Sequence, residues 1–150
     1  MGLSRLRAFL RRHQRIALDT NIFIYQLEAN GRYSHLTDQI FSWLERADSR
    51  AVTSTITMTE LLVQPYRKAG EQRVDEIYGL LTTFPNLEWV APDLEIADLS
   101  ARFRALHGLR TPDALQAATA AHAGATGMIT NEGVLARVEG FETLTLDALL

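Results

Sequence analysis

Short apolar segments of strand length alternate with longer amphipathic segments along most of this chain. The apolar segments cover residues 15–18, 50–56, 87–91, 127–130 and 142–146, and the segments between them have the apolar spacing of α-helices. Strands separated by helices usually pair in parallel, because a parallel connection needs a crossover that spans the length of the sheet. The pattern therefore predicts a three-layer α/β/α fold with a mostly parallel central sheet of four or five strands.

Pro and Gly mark the ends of several predicted helices. We predict helices over residues 20–28, 35–47, 57–68, 71–84, 93–107 and 111–123. Pro65 should bend or end the third of these, because proline lacks the amide hydrogen that a helix needs. Gly108 is placed to end the fifth helix, and Pro112 occupies the first turn of the sixth.

Composition excludes several classes of protein and site. The chain has 150 residues, which predicts one domain with a core of its own. It has no cysteine, so disulfides, thiolate zinc sites and cysteine nucleophiles are excluded, and a cytoplasmic location is expected. No segment reaches the roughly 18 apolar residues of a membrane span. We therefore expect no membrane partner.

Positive charge is concentrated at the N-terminus. Five arginines and no acidic residue lie in the first 15 positions, and the whole chain has a net charge of −3, so residues 16–150 carry −8. We divide the chain into a basic N-terminal extension, residues 1–14, and a globular domain, residues 15–150. Residues 3–13 fit either a short amphipathic helix or a disordered basic arm.

Four carboxylates stand at the ends of apolar runs or at the start of a helix. Asp19 follows the first predicted strand, Glu60 lies just beyond the second, Asp113 begins the helix before the fourth, and Glu132 closes the fourth. Ligands of open α/β sheets bind outside the carboxyl ends of the strands. Carboxylates that meet there repel one another, and a hard cation such as Mg²⁺ or Mn²⁺ is their natural partner. This arrangement predicts metal-assisted cleavage of a phosphodiester.

Each of these residues also fits an ordinary structural role. Asp19 suits a helix N-cap, and Thr57 with Glu60 has the spacing of a capping box. Asp113 suits the first turn of a helix, and Glu132 suits a turn. Two further residues, Asn21 and Thr130, are predicted to position the metal ligands, although helix capping and strand-end hydrogen bonding would equally explain them.

Four segments resemble the motifs of PIN-domain ribonucleases, and of VapC-type toxins in particular. They are residues 16–25 (IALDTNIFIY), 57–62 (TMTELL), 110–120 (RTPDALQAATA) and 128–132 (MITNE). The resemblance covers residues 15–146 in order and spacing. It implies a PIN-like nuclease domain over residues 15–150 with a mainly parallel sheet.

The resemblance also implies an activity and partners. It implies an endoribonuclease that depends on Mg²⁺ or Mn²⁺, acts as the toxin of a toxin–antitoxin pair, binds a small antitoxin protein and forms a homodimer. By position, Asp19, Glu60 and Asp113 match the catalytic, metal-binding acids, and Glu132 falls where the family usually has Asp. Arg110, beside the third motif, is a candidate for gripping the RNA backbone.

Two other interpretations remain open at this stage. In a phosphatase of the haloacid dehalogenase type, Asp19 would be the nucleophile, but Asn21 stands where that class has a second Asp. Alternatively, the departure at Glu132 fits a PIN-like binding module with weakened catalysis. Metal binding together with RNA turnover would separate these possibilities.

Overall fold

Five parallel strands form the central layer of the molecule. The computed structural model describes residues 1–150, except for the side chain of Ala69. The strands are β1 (Arg15–Leu18), β2 (Arg50–Ser54), β3 (Leu87–Val90), β4 (Gly127–Thr130) and β5 (Glu142–Thr145). They lie in the order β3-β2-β1-β4-β5, and every neighbouring pair is parallel. The predicted sheet is confirmed, and β1 is its middle strand.

Seven α-helices flank the sheet. They are α1 (Gly2–Arg12), α2 (Thr20–Leu27), α3 (Ser34–Leu44), α4 (Ile56–Gln64), α5 (Gly70–Thr82), α6 (Leu94–His107) and α7 (Thr111–His122). Pro65 ends α4, and the chain continues as a short π-helical segment, Pro65–Ala69. Two 3₁₀ segments, Gly133–Arg137 and Leu146–Leu149, follow β4 and β5. Within the described residues, no helix has the length and apolarity needed to cross a membrane.

Alternate residues of β1 enter two separate cores. Ile16 and Leu18 are fully buried in the larger core, which contains side chains of α1 to α5. Ala17 faces the second core, together with Met128 and the alanines of α7. Successive side chains of a strand point to opposite faces of a sheet, so the two cores mark the two faces. The three-layer α/β/α architecture is therefore confirmed.

The N-terminal helix belongs to the larger core. Leu6, Phe9 and Leu10 of α1 are buried, so the alternative of a disordered basic arm is wrong. Gly127 makes this packing possible at the start of β4. A Cβ at Gly127 would lie 2.8 Å from the Phe9 ring, closer than real side chains approach, and 3.0 Å from the His13 ring, which is a tight contact.

Polar contacts fasten the end of α1 to β5. The Arg12 guanidinium donates two hydrogen bonds to the Glu142 carboxylate, at 2.9 Å and 2.7 Å. His13 Nε2 lies 2.6 Å from the same carboxylate. The hydrogen bond from Arg12, followed by that from His13, lowers the pKa of Glu142 to about 2. We call these three residues the α1 clasp.

Replacing Glu142→Gln should destabilise the protein at neutral pH, because it removes a charge-assisted bidentate contact. A lowered carboxyl pKa stabilises the fold above the ordinary pKa, and this contribution disappears as the pH falls from about 4.5 towards 2. The difference in unfolding free energy between wild type and variant should therefore shrink across that window. Urea unfolding at several pH values measures it, and a difference that does not change with pH would contradict the clasp.

Candidate active site

Asp19 occupies the buried carboxyl end of the middle strand. It is 5% exposed and serves as the N-cap of α2. The backbone N–H of Thr20 donates to its Oδ1 atom at 2.8 Å, and the Thr130 hydroxyl donates to its Oδ2 atom at 2.7 Å. Thr20, just beyond β1, and Thr130, the last residue of β4, thus hold both oxygens of this carboxylate in one orientation.

The surroundings of Asp19 disfavour its negative charge. Burial raises the pKa of the carboxyl to about 6, although the hydrogen bonds from Thr130 and Thr20 oppose that change. The negative charges of Asp113 and Glu60 raise the pKa further, so both act on Asp19 through space. The fold therefore brings Glu60 and Asp113, two of the other three predicted carboxylates, within electrostatic reach of Asp19.

Glu60 and Asp113 approach Asp19 from different helices. The Thr20 hydroxyl donates to Glu60 Oε1 at 2.7 Å, so Glu60 does not form the capping box with Thr57, and α4 has no side-chain cap. The capping-box interpretation is wrong. Asp113 is 5% exposed in the first turn of α7, where Arg110 Nε donates to its Oδ2 atom at 3.3 Å.

The remaining predicted residues lie around Asp19. Glu132 is tied to the site through its backbone, whose N–H donates to the Thr130 hydroxyl at 2.9 Å. Asn21 lies in the first turn of α2, and its Oδ1 atom is buried without a hydrogen-bond partner among the described residues. A buried amide oxygen with no donor is costly, and a bound ligand or ordered water would relieve that cost.

A chain of buried hydrogen bonds supports the carboxylates, and the sequence interpretation missed its central residue. Gln116 Nε2 donates to the Thr57 hydroxyl at 2.8 Å and to the Thr20 hydroxyl at 3.2 Å. Thr57 lies 2.7 Å from Thr53, whose hydroxyl donates to the carbonyl of Leu18 at 2.8 Å. One branch therefore reaches Glu60 through Thr20, and the other reaches the backbone just before Asp19.

A signal for Gln116 was present in the sequence. It is the one long polar side chain on the stretch of alanines after Asp113, three positions further along α7. Residues three apart lie on the same side of a helix. A glutamine among alanines, on the same face as a candidate ligand, is therefore a candidate for the support of that ligand.

The donor set suits a hard cation, but the side chains do not already form a closed cage. Among the described residues, no three acidic or histidine side chains lie close enough together to hold a metal ion. The oxygens of Asp19, Glu60 and Asp113 are nevertheless the ligands that Mg²⁺ and Mn²⁺ prefer. A cation would also favour the charged form of Asp19, whose pKa is raised mainly by burial and further by the charges of Asp113 and Glu60. Glu60 is exposed, so its side chain has room to turn inwards.

A cleft lies beside Glu60 and has side chains of both charges in its lining. It has a volume of about 290 Å³, and Lys68, Arg73, Glu28 and Glu60 line it together with apolar residues of α2, α4 and α5. Lys68 is the only lysine of the chain, and the sequence interpretation gave it no role. Arg110, predicted to touch RNA, has a side chain that is 72% exposed beside Asp113. Cationic groups thus flank the carboxylates on two sides.

Comparison with known families identifies the domain. Residues 16–141 match the PIN domain family. The chain belongs to the PIN-domain family. PIN domains are generally nucleases and typically use divalent metals. Among curated proteins, no sequence matches this chain.

Solved structures share this PIN fold. VapBC2 from Rickettsia felis, bound to a DNA fragment from its promoter, matches with a TM-score of 0.66 and 15% identity over 87% of this chain and 98% of that chain. A toxin–antitoxin complex from Klebsiella pneumoniae has a TM-score of 0.66 and 23% identity over 87% and 97%. VapBC-1 from nontypeable Haemophilus influenzae has a TM-score of 0.66 and 20% identity over 89% and 98%.

In this PIN domain, Asp19→Asn should stabilise the metal-free protein at high pH. Because its carboxyl pKa is raised in the folded protein, Asp19 makes its full contribution to the unfolding free energy below about pH 3.8. That contribution is lost as the pH rises through about 6. The rise of this pKa from 3.8 to about 6 corresponds to about 2–3 kcal/mol of stability at pH 8. Thermal unfolding in a chelator measures the effect. An unchanged or lower melting temperature at pH 8 would contradict the electrostatic assignment.

Gln116→Leu should destabilise the PIN domain by about 1–3 kcal/mol, because the Thr57 and Thr20 hydroxyls lose their buried donor. Urea unfolding measures the change. Gln72→Leu on the exposed side of α5 is the matched control and should stay within about 0.5 kcal/mol. Equal changes in unfolding free energy for the two substitutions would contradict a stabilising role for this hydrogen-bond network.

Proposed function

We propose that this protein is an endoribonuclease that hydrolyses RNA phosphodiester bonds with the help of Mg²⁺ or Mn²⁺. The observation that carries the proposal is the Asp19 carboxylate, buried at the end of the middle strand in the fields of Glu60 and Asp113. Such a grouping is costly without a cation, and membership of the PIN family supports nuclease chemistry for it.

The four carboxylates would have different roles in the reaction. Asp19, Glu60 and Asp113 would hold a divalent ion, and Glu132 would assist a second ion or orient the attacking water. The ion, when bound, neutralises the scissile phosphate and makes water a better nucleophile near neutral pH. A carboxylate of the site accepts the proton of that water. In-line attack then breaks the bond to the 3′ oxygen and leaves a 5′-phosphate and a 3′-hydroxyl.

Neighbouring side chains keep the carboxylates in place during this reaction. Thr130 and the Thr20 amide fix the two oxygens of Asp19, and Gln116 fixes Thr20. Asn21 offers its unpartnered amide oxygen to an ordered water beside the site. Arg110 lies beside Asp113 with an exposed guanidinium, which is placed to hold the RNA backbone.

We further propose that the protein is the toxin of a type II toxin–antitoxin pair and acts in the cytoplasm. The Klebsiella pneumoniae neighbour is a toxin–antitoxin complex, and two other neighbours are VapBC assemblies. A groove of about 520 Å³ between α2, α3 and α5 would take the apolar face of an antitoxin helix. Its apolar lining consists of Phe23, Leu27, Phe41, Leu80, Leu81 and Phe84.

A second copy of the chain is the other proposed partner. Val63 and Tyr66 are exposed, at 38% and 66%, at the end of α4 and the start of the π-helical segment. They line a shallow groove with Met58 and Leu62. Exposed apolar surface of this kind marks sites of association, which supports a homodimer.

Asp19→Asn and Asp113→Asn should each reduce metal-dependent RNA cleavage by at least a hundredfold, because each removes one negatively charged ligand. Cleavage of labelled RNA in Mg²⁺ or Mn²⁺, with mapped ends, measures the effect. Asp98→Asn on the exposed surface of α6 is the control and should keep full activity. Full activity in both site variants would refute the proposed catalytic centre.

A PIN-like binding module with weakened catalysis is the second candidate function. Two observations favour it: Glu132 stands at the position of the fourth acid, and, in the part of the chain that the structure describes, no three acidic side chains are already close enough to hold a metal. Glu132→Asp separates the two functions, since a weakened enzyme should gain turnover from the shorter side chain. The phosphatase interpretation receives no support from membership of the PIN family.

A further inference from the structure

Six arginines gather at the end of the sheet opposite the carboxylates. They come from α1, from the loop after α3 and from the first residues of β1 and β2, and we call them the basic face: Arg7, Arg11, Arg12, Arg15, Arg46 and Arg50. They line two clefts of the surface. Arg7, Arg11 and Arg46 line the first, and the other three line the second, which has a volume of about 430 Å³.

Most of this positive charge is not neutralised by the protein. Arg12 pairs with Glu142 and Arg15 pairs with Glu88. The other four form no ion pair with any described side chain, and this includes Asp48 in the loop after α3. Arg7 donates to the Gln39 amide oxygen, and Arg50 donates to backbone carbonyls and to Asn86.

Helix dipoles account for only part of this arrangement. Arg11 and Arg12 lie in the last turn of α1, and Arg46 follows the end of α3. The carboxyl end of a helix carries about half a negative charge. Two such ends are equivalent to about one charge, whereas four of the six guanidinium groups lack a carboxylate partner. The surplus is available to an external anion.

Packing and hydrogen bonds anchor the helix that carries three of these arginines. Leu6, Phe9 and Leu10 anchor α1 in the core, and the α1 clasp fastens its end to β5. Arg5 adds a hydrogen bond to the carbonyl of Ala148 at 2.7 Å. A partner therefore meets arginines whose backbone is already ordered, so binding does not have to order α1 first.

We propose that the basic face binds the phosphate backbone of the substrate RNA, at a distance from the site of cleavage. This rests on the proposed ribonuclease function for the identity of the RNA. Arginine is suited to this task because its planar guanidinium binds phosphate in a bidentate manner. Arg15 and Asp19 are four positions apart along β1, about 13 Å at the rise of a strand. An RNA that curves around the domain would reach both ends of the sheet.

The carboxylate end and the basic face then have different roles in RNA binding. Before a cation is bound, the carboxylate end repels RNA, because its charges have the same sign as the phosphates. The basic face supplies affinity that does not depend on the metal. The basic face favours RNAs that are long enough to contact both ends of the sheet, or that fold into a shape that contacts both. Short oligonucleotides would meet only the catalytic end.

The triple variant Arg7→Gln, Arg11→Gln and Arg46→Gln tests the proposal. RNA binding is measured by fluorescence anisotropy in a chelator with a labelled RNA of roughly 40 nucleotides, so cleavage plays no part. The variant should bind RNA about tenfold or more weakly. The slope of log K against the logarithm of the salt concentration should become shallower by about 2, since each phosphate contact adds about 0.7 to that slope. A matched control replaces Arg32, Arg102 and Arg137 by Gln and should change the affinity less than twofold.

Cleavage separates this proposal from the nuclease proposal. With the triple variant, kcat/KM should fall on the long RNA and stay unchanged on a short oligonucleotide. Equal RNA affinity in the triple variant and its control would overturn the basic-face proposal, whether or not the protein cleaves RNA. The proposal would also be overturned if the triple variant kept its RNA affinity and lost binding only to duplex DNA or to an antitoxin protein. If the triple variant unfolds at a lower temperature than the wild type, the double variant Arg7→Gln and Arg11→Gln replaces it. The slope of log K against the logarithm of the salt concentration should then become shallower by about 1.4.

Discussion

The confinement of one carboxylate at the end of the middle strand is the constraint on which the rest of this structure depends. Asp19 is buried, its two oxygens are held by Thr20 and Thr130, and its pKa rises to about 6. Burying a charged group beside two like charges is unfavourable unless something compensates for it. A divalent cation held by these oxygens, as proposed above, would supply that compensation.

The strand order explains how distant segments reach Asp19. Because β1 lies between β2 and β4, the residues that follow those two strands flank the end of β1 on either side. Glu60 comes from the helix after β2, and Thr130 closes β4. Asp113 comes from α7, which packs on β1 and β2 through alanines, so its first turn comes close to Asp19. Gln116 on the same helix then ties α7 to α2 and α4 through Thr20 and Thr57.

Much of the fold could be predicted from the sequence, because strand alternation and helix spacing are local patterns. The five strands lie within two residues of their predicted bounds, and Pro65 ended its helix as its chemistry requires. The partners of polar side chains could not be predicted in the same way, since they depend on tertiary placement. Thr57 and Glu60 have capping-box spacing, yet each bonds elsewhere. The ordering of α1 depended on Gly127, far along the chain, which leaves room for the Phe9 ring.

The most direct test of the account is a crystal structure of the protein soaked in Mn²⁺, with the ion located by its anomalous scattering. One strong peak is expected in contact with carboxylate oxygens of Asp19 and Asp113, with Glu60 turned towards the ion and away from its bond with Thr20. A map with no peak at the end of β1, in crystals where Mn²⁺ binds elsewhere on the surface, would contradict the account.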